Sequence, residues 1–193
     1  MRKTAIVAVC VLAFSVSAFA CGKERWPVKV LSDPDNHLIV RTVKPMTVAE
    51  LAALDGPPND QRTAKSAVNH RLGTPEETTY RVTALLLGYR KEHDGDFHLV
   101  LKDTQSDATM IAEIPDPACI TDPTLSKHAG NFRNALVAKF GKPGKKTKRF
   151  STPARVVVRG IGFFDVEHPT EQDGAAPNNL EIHPVLGLSL SGS

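Results

Sequence analysis

Aromatic residues are scarce in this 193-residue chain, which holds one Trp, two Tyr and eight Phe. So few flat rings exclude a base-stacking platform rich in Trp and Tyr. Three cysteines, at positions 10, 21 and 119, are too few for a disulfide-built scaffold and do not form a zinc-finger spacing. No stretch carries a P-loop, a GxGxxG turn or a GxSxG nucleophile elbow. Charge of one sign is lacking too, with 24 basic and 21 acidic residues and a formal charge of +3. What is present, 41% hydrophobic and 23% charged residues, fits a globular chain. At this length the natural division is one compact domain plus an appendage.

Residues 1–20 read as an export signal. Arg2 and Lys3 precede the apolar run Ala5–Phe14, and Ala18-Phe19-Ala20 offers small residues where a signal peptidase reads them. The run is too short to span a bilayer about 30 Å thick, and no later segment is apolar enough to try. Removing Arg2 and Lys3 leaves 22 basic against 21 acidic residues, so global charge does not imply capture of nucleic acid or anionic lipid. Cleavage after Ala20 makes Cys21 the first mature residue. A lipoprotein signal also ends at cysteine, but the bulky Phe19 is a poor fit to one. The competing expectation is a Cys21–Cys119 disulfide, since Cys10 leaves with the signal and exported proteins usually pair two cysteines. The destination is periplasmic or extracellular, with lipid anchoring through Cys21 as the alternative.

Residues 21–78 read as an N-terminal arm and loop. Trp26–Leu31 and Leu38–Val43 are candidate short strands, and Glu24-Arg25-Trp26 is a candidate anchor acting through the indole. Thr47-Val-Ala-Glu50 is a capping box that opens one short helix, stopped by Asp55-Gly-Pro-Pro58. The polar, proline-bearing stretch 57–78 reads as a long surface loop. Residues 79–193 read as a β domain: strands over Tyr80–Arg90, Phe97–Asp103 and Thr109–Ile114, a helix from Asp122-Pro123 to Gly141, then strands over Arg155–Asp165 and Leu180–Leu190. The order β-β-β-α-β-β predicts a mainly β fold, an OB-fold-like five-stranded barrel. Two sandwich hairpins with an inserted helix are the alternative. Gly160 and Gly162 suit a sharp bend or bulge.

Five segments also resemble a family of small exported bacterial proteins with an OB-fold-like barrel. They are Cys21-Gly-x-Glu-Arg-Trp26-x-Val-Lys29, Asp96-Phe-His-Leu-Val100, Thr109-Met-Ile-Ala-Glu-Ile-Pro115 with Cys119, Gly160-Ile-Gly-Phe-Phe-Asp165, and Ala176-Pro-Asn-x-Leu-Glu-Ile-His-Pro-Val-Leu186. The resemblance spans nearly all of the mature chain and implies no reaction or substrate. The family pattern places Gly-Gln after the histidine where this chain has His168-Pro169-Thr170.

A turn at Gln105-Ser106 sets cross-strand partners whose numbers sum to 211. Leu101 then faces Met110, Leu99 faces Ala112 and Phe97 faces Ile114, an apolar inner layer. The other side pairs His98 with Glu113, with Asp96 and Lys102 at its ends. The last strand is expected beside Thr109–Ile114 and adds Glu181 and His183, partly exposed nearer the mouth of the barrel. Two imidazoles among carboxylates suit a divalent metal, with His98, Glu113 and His183 as candidate ligands, or acid–base work. Such a pair also simply satisfies hydrogen bonds beneath a covering arm. Lys142, Lys145, Lys146, Lys148 and Arg149 read as a basic loop able to meet a polyanion.

Two function classes follow. One is an exported, non-enzymatic, monomeric binding module for a polysaccharide, nucleic acid or protein, its partner a polyanion or cell-envelope component and its cofactors none. The other is a metal-dependent hydrolase or nuclease on the same barrel, with Arg81, Arg90, Arg155 and Arg159 available for phosphate.

Overall fold

The computed structural model describes residues 21–167 and 172–190; the expected export signal, the His168-Pro169-Thr170 segment and the last three residues lie outside the described residues. Alternation builds the longest strands. In β2 (Thr78–Lys91), Tyr80, Val82, Ala84 and Leu86 turn inward, while Arg81 stays in water. β3 (Phe97–Lys102) and β4 (Thr109–Ile114) form a hairpin in the register that sums to 211, from Phe97 opposite Ile114 to Lys102 opposite Thr109. β5 (Lys148–Phe164) and β6 (Leu180–Leu190) pair antiparallel, and β6 runs parallel to β4 at Ala112 and Ile182. β2 pairs with both β3 and β5, so hydrogen-bonded pairings run in a ring through β2, β3, β4, β6 and β5. β1 (Val40–Pro45) adds a sixth, parallel strand outside the ring, giving a mixed sheet in a mainly β fold.

Two glycines let the ring close. A Cβ on Gly88 would lie 2.4 Å from the Lys148 carbonyl oxygen, at the register shift where β2 passes from Leu86 onward. A Cβ on Gly160 would lie 2.4 Å from the Pro184 carbonyl, at the irregularity between β5 and β6. Both approaches are closed to any larger residue. The expected bend at Gly160 and Gly162 is therefore present, but the strand is longer than the apolar pattern implies. It begins at Lys148, so Lys148 and Arg149 are strand residues and the basic loop is reduced to Lys142, Lys145 and Lys146.

The helix α4 (Pro123–Phe140) starts where Asp122 accepts a hydrogen bond from the Leu125 amide at 2.6 Å, and ends at Gly141 with φ of 78°. Asp-Pro supplies the cap and a preset first turn, and glycine supplies the left-handed exit. Leu125, Ala129 and Leu136 are buried against the sheet.

The arm differs most from its sequence reading. Trp26–Lys29 is a helical turn, α1, not a strand, because Pro27 presets helical φ and removes a ladder donor. α2 (Val48–Ala52) carries the full Thr47–Glu50 capping box and buries Val48 and Leu51. The stretch 57–78 is no surface loop. It holds α3 (Asn59–Thr63) and tight turns, and it buries Arg62, Ala67, Arg71 and Glu76.

Cys21 is bonded to Cys119 across 98 residues. A sulfur in that bond cannot also carry a lipid thioether. The bridge fastens the start of the arm to the turn before α4. Replacing both cysteines with serine should lower stability by about 2–4 kcal/mol, read by urea melts; a change under about 0.5 kcal/mol would show the arm is held without it. No helix among the described residues is long and apolar enough to cross a membrane.

Candidate functional site

Register brings the chemistry together. β3 and β4 set His98 opposite Glu113, and the parallel pairing of β6 beside β4 at Ala112 and Ile182 brings Glu181 and His183 alongside. Glu113 bridges the two rings: Oε1 lies 3.1 Å from His98 Nδ1 and Oε2 lies 3.2 Å from His183 Nδ1. His183 Nδ1 also meets Glu181 Oε1 at 3.1 Å. The other nitrogen of His98 donates to the Asp173 carbonyl at 3.0 Å. Asp96, just before β3, accepts from the Asp116 amide through Oδ1 at 2.8 Å.

All five side chains are buried. Glu181 and His183 are 2% and 0% exposed, so the expected partial exposure of this pair is wrong. The arm and the turn at 173–174 roof this face, with Gly174 packed on Val100. Lys102 stands apart at the far end of the hairpin, where it pairs with exposed Asp107 at 2.6 Å. The candidate set thus contracts to Asp96, His98, Glu113, Glu181 and His183.

Sequence reasoning missed the arm's contribution. Lys29 of α1 reaches Asp165 at 3.6 Å and lies 5.0 Å from the centre of the Phe163 ring, which also packs against His183. Arg90 donates to Glu92 at 2.6 Å, and both stand beside His98 Nδ1, at 3.3 and 3.2 Å. Arg81 and Arg159 face each other across β2 and β5, and Arg155 pairs with Leu85. Of the four arginines considered for phosphate, Arg90 is the one in contact with the cluster.

Burial and pairing divide the protons. Burial opposes charge on both imidazoles, yet hydrogen bonds to Glu113, joined by Glu92 at His98 and Glu181 at His183, carry each up to about 9. Burial would raise Glu113 as well, but the hydrogen bonds from His183 and His98 hold it well below the usual carboxylate range. Asp96 is pushed up to about 7 by burial, against the pull of nearby His183. Glu181 reaches about 7 through burial and the charges of Glu113 and Asp165. Lys29 stays protonated despite its burial, because Asp165, Glu181 and Glu113 surround it.

Above this network lies a cleft of about 540 Å³, walled by Lys23, Glu24 and Lys29 of the arm and by Arg90, Glu92 and Glu113 of the sheet. A second cleft of about 460 Å³ shares Glu92 and His93 and extends toward Lys145. Comparison with protein-family models, with curated proteins and with solved structures finds no match to this chain.

Proposed function

We propose that this chain is an exported, non-enzymatic binding module, built on an OB-fold-like barrel, that takes a hydroxyl-rich saccharide into the cleft beneath its arm. The observation that supports this most is the cleft itself, which opens over the β3–β4 face and has Glu113 in its floor. In OB-folds the outer face of the corresponding strands is the usual ligand surface.

The state of the imidazoles favours binding over catalysis. Both nitrogens of His98 are engaged, by Glu113 and by the Asp173 carbonyl. His183 is sealed below the cleft floor. A general base needs a ring nitrogen within reach of the proton it takes, and neither ring presents one to the cleft. The hydrolase or nuclease alternative also needs arginines converging on a phosphate, whereas Arg81, Arg155 and Arg159 stand on β2 and β5.

Charge selects among ligands. The cleft carries Glu24, Glu92, Asp94, Glu113 and Asp165 against Lys23, Lys29 and Arg90. That acidic excess repels a nucleic acid backbone. Alternating carboxylates and cations instead suit sugar hydroxyls, which both donate and accept. The expected export of the chain fits a cell-envelope polysaccharide as the source.

Glycan-array screening followed by calorimetry tests the reading. Glu92→Gln and Arg90→Ala should each weaken saccharide binding about tenfold or more, as loss of a charged hydrogen bond does. Binding untouched by both changes but lost in Lys145→Glu/Lys146→Glu would move the ligand to the loop and overturn the proposal.

A further inference from the structure

Two atoms at the centre of the cluster lack what buried polar atoms require. Asp96 Oδ2 and His183 Nε2 are fully enclosed, and neither has a hydrogen-bond partner. They face each other at 3.6 Å, beyond the range of an N–H···O hydrogen bond. Buried polar groups are almost always satisfied, so an orphaned pair aimed at one point calls for something between them.

We propose that Asp96, Glu113 and His183 bind a divalent transition-metal ion of the zinc class. One ligand atom from each of the three lies within 4.8 Å of the other two. Donors held at about 2.0–2.2 Å in a tetrahedral shell stand roughly 3.3–3.6 Å apart, which is the separation of the orphaned pair. One imidazole with two carboxylates is a donor set for zinc and its neighbours, whereas calcium and magnesium prefer oxygen alone.

The surroundings fit as well. A metal-binding histidine commonly donates its other N–H to a carboxylate, which fixes the ring and its tautomer. Glu181 lies 3.1 Å from His183 Nδ1 and takes that role. With Nδ1 engaged by carboxylates, Nε2 is the nitrogen that faces Asp96, and in the neutral ring its lone pair is free for an ion. Four buried carboxylates, Asp96, Glu113, Asp165 and Glu181, surround the single ammonium of Lys29. Glu113 lines the cleft and gives an ion its way in.

A second trio, Glu92, His98 and Glu113, is similarly close. It is a poorer candidate. Arg90 already supplies its cation, 2.6 Å from Glu92, and His98 has partners on both nitrogens.

The test uses the mature protein, stripped with chelator and loaded with Zn²⁺, Co²⁺, Mg²⁺ or Ca²⁺ in turn. One equivalent of zinc or cobalt should be retained through gel filtration, with a rise in melting temperature and a visible cobalt spectrum of tetrahedral type. Asp96→Asn, which keeps the volume, should abolish retention, and Glu181→Gln should weaken it about 10–100-fold as a positioning residue. Glu92→Gln should leave it unchanged. No retained ion in the wild type, retention unaffected by Asp96→Asn, or retention lost in Glu92→Gln would each overturn the proposal. The inference is independent of the saccharide reading, because Glu92→Gln is expected to weaken sugar binding and keep the metal.

Discussion

Glu76→Ala is expected to cost about 3–5 kcal/mol, the range for removing one partner of a buried ion pair, and so to bring a domain of ordinary stability close to unfolding. The reason lies in how much one carboxylate holds. Its Oε1 accepts from Arg25 Nη1 at 2.7 Å and from the Phe164 amide at 2.8 Å. Its Oε2 accepts from Arg25 Nη2 and from the Leu72 amide, both at 2.6 Å. Glu76 is fully buried, and Arg25 is 3% exposed. Truncation would leave a guanidinium and two amides enclosed without their acceptor. Replacing both partners, as in Arg25→Met/Glu76→Leu, removes the stranded charge, and such swaps are often near neutral. The double variant should therefore recover much of the loss in urea melts. If the single variant costs less than about 1 kcal/mol, the pair behaves as an exposed one, and the arm is not docked as described.

That pair explains why the arm was the least legible part of the chain. Arg25 and Glu76 are 51 residues apart, and nothing local marks either as buried. Arg62 donates to the Asp165 carbonyl at 2.9 Å, and Arg71 pairs with Asp33 at 2.7 Å. Three guanidiniums thus fold a polar, proline-bearing stretch into the interior, and hydropathy alone writes such a stretch down as loop. Arg25, more than the Trp26 indole, anchors the arm, since it also donates to the Phe164 carbonyl of β5 at 3.1 Å. The β3–β4 rung lay at the other extreme. A short polar loop centred on Gln105-Ser106 fixes the register, and with period-two alternation the register fixes every facing pair. His98 opposite Glu113 follows from counting. The place of β6 beside β4 follows from the β-β-β-α-β-β order, and it brings in Glu181 and His183. What counting could not give is depth, because the roof over that face comes from the arm. Lys29 joins the cluster only through this tertiary closure.

Glu113→Ala should be comparably damaging, at about 3–5 kcal/mol, because one carboxylate serves two buried imidazoliums. The pH dependence distinguishes this account from simple loss of packing. In the ion-free protein, kept so by chelator, His98 and His183 are each held up to about 9, against about 6.5 for an unfolded histidine. A raised histidine contributes its full stabilisation below the unfolded value and loses it as pH rises through the folded one. Glu113 itself stays ionised throughout, since pairing depresses it. The cost of Glu113→Ala should therefore be largest near about pH 6 and shrink as pH rises through about 9. Glu113→Gln, which retains an acceptor and the volume, should show the same trend at smaller amplitude. His98→Ala/Glu113→Ala should be less damaging than the sum of its parts, with a coupling energy of about 1 kcal/mol or more, because the double change removes one stranded cation along with its partner. Urea melts of these variants at a series of pH values carry the test. A cost that stays flat between about pH 6 and 9.5 would mean that the two rings are neutral in the fold. Glu113 would then contribute volume to the packing, and the charges would have no part in holding this face together.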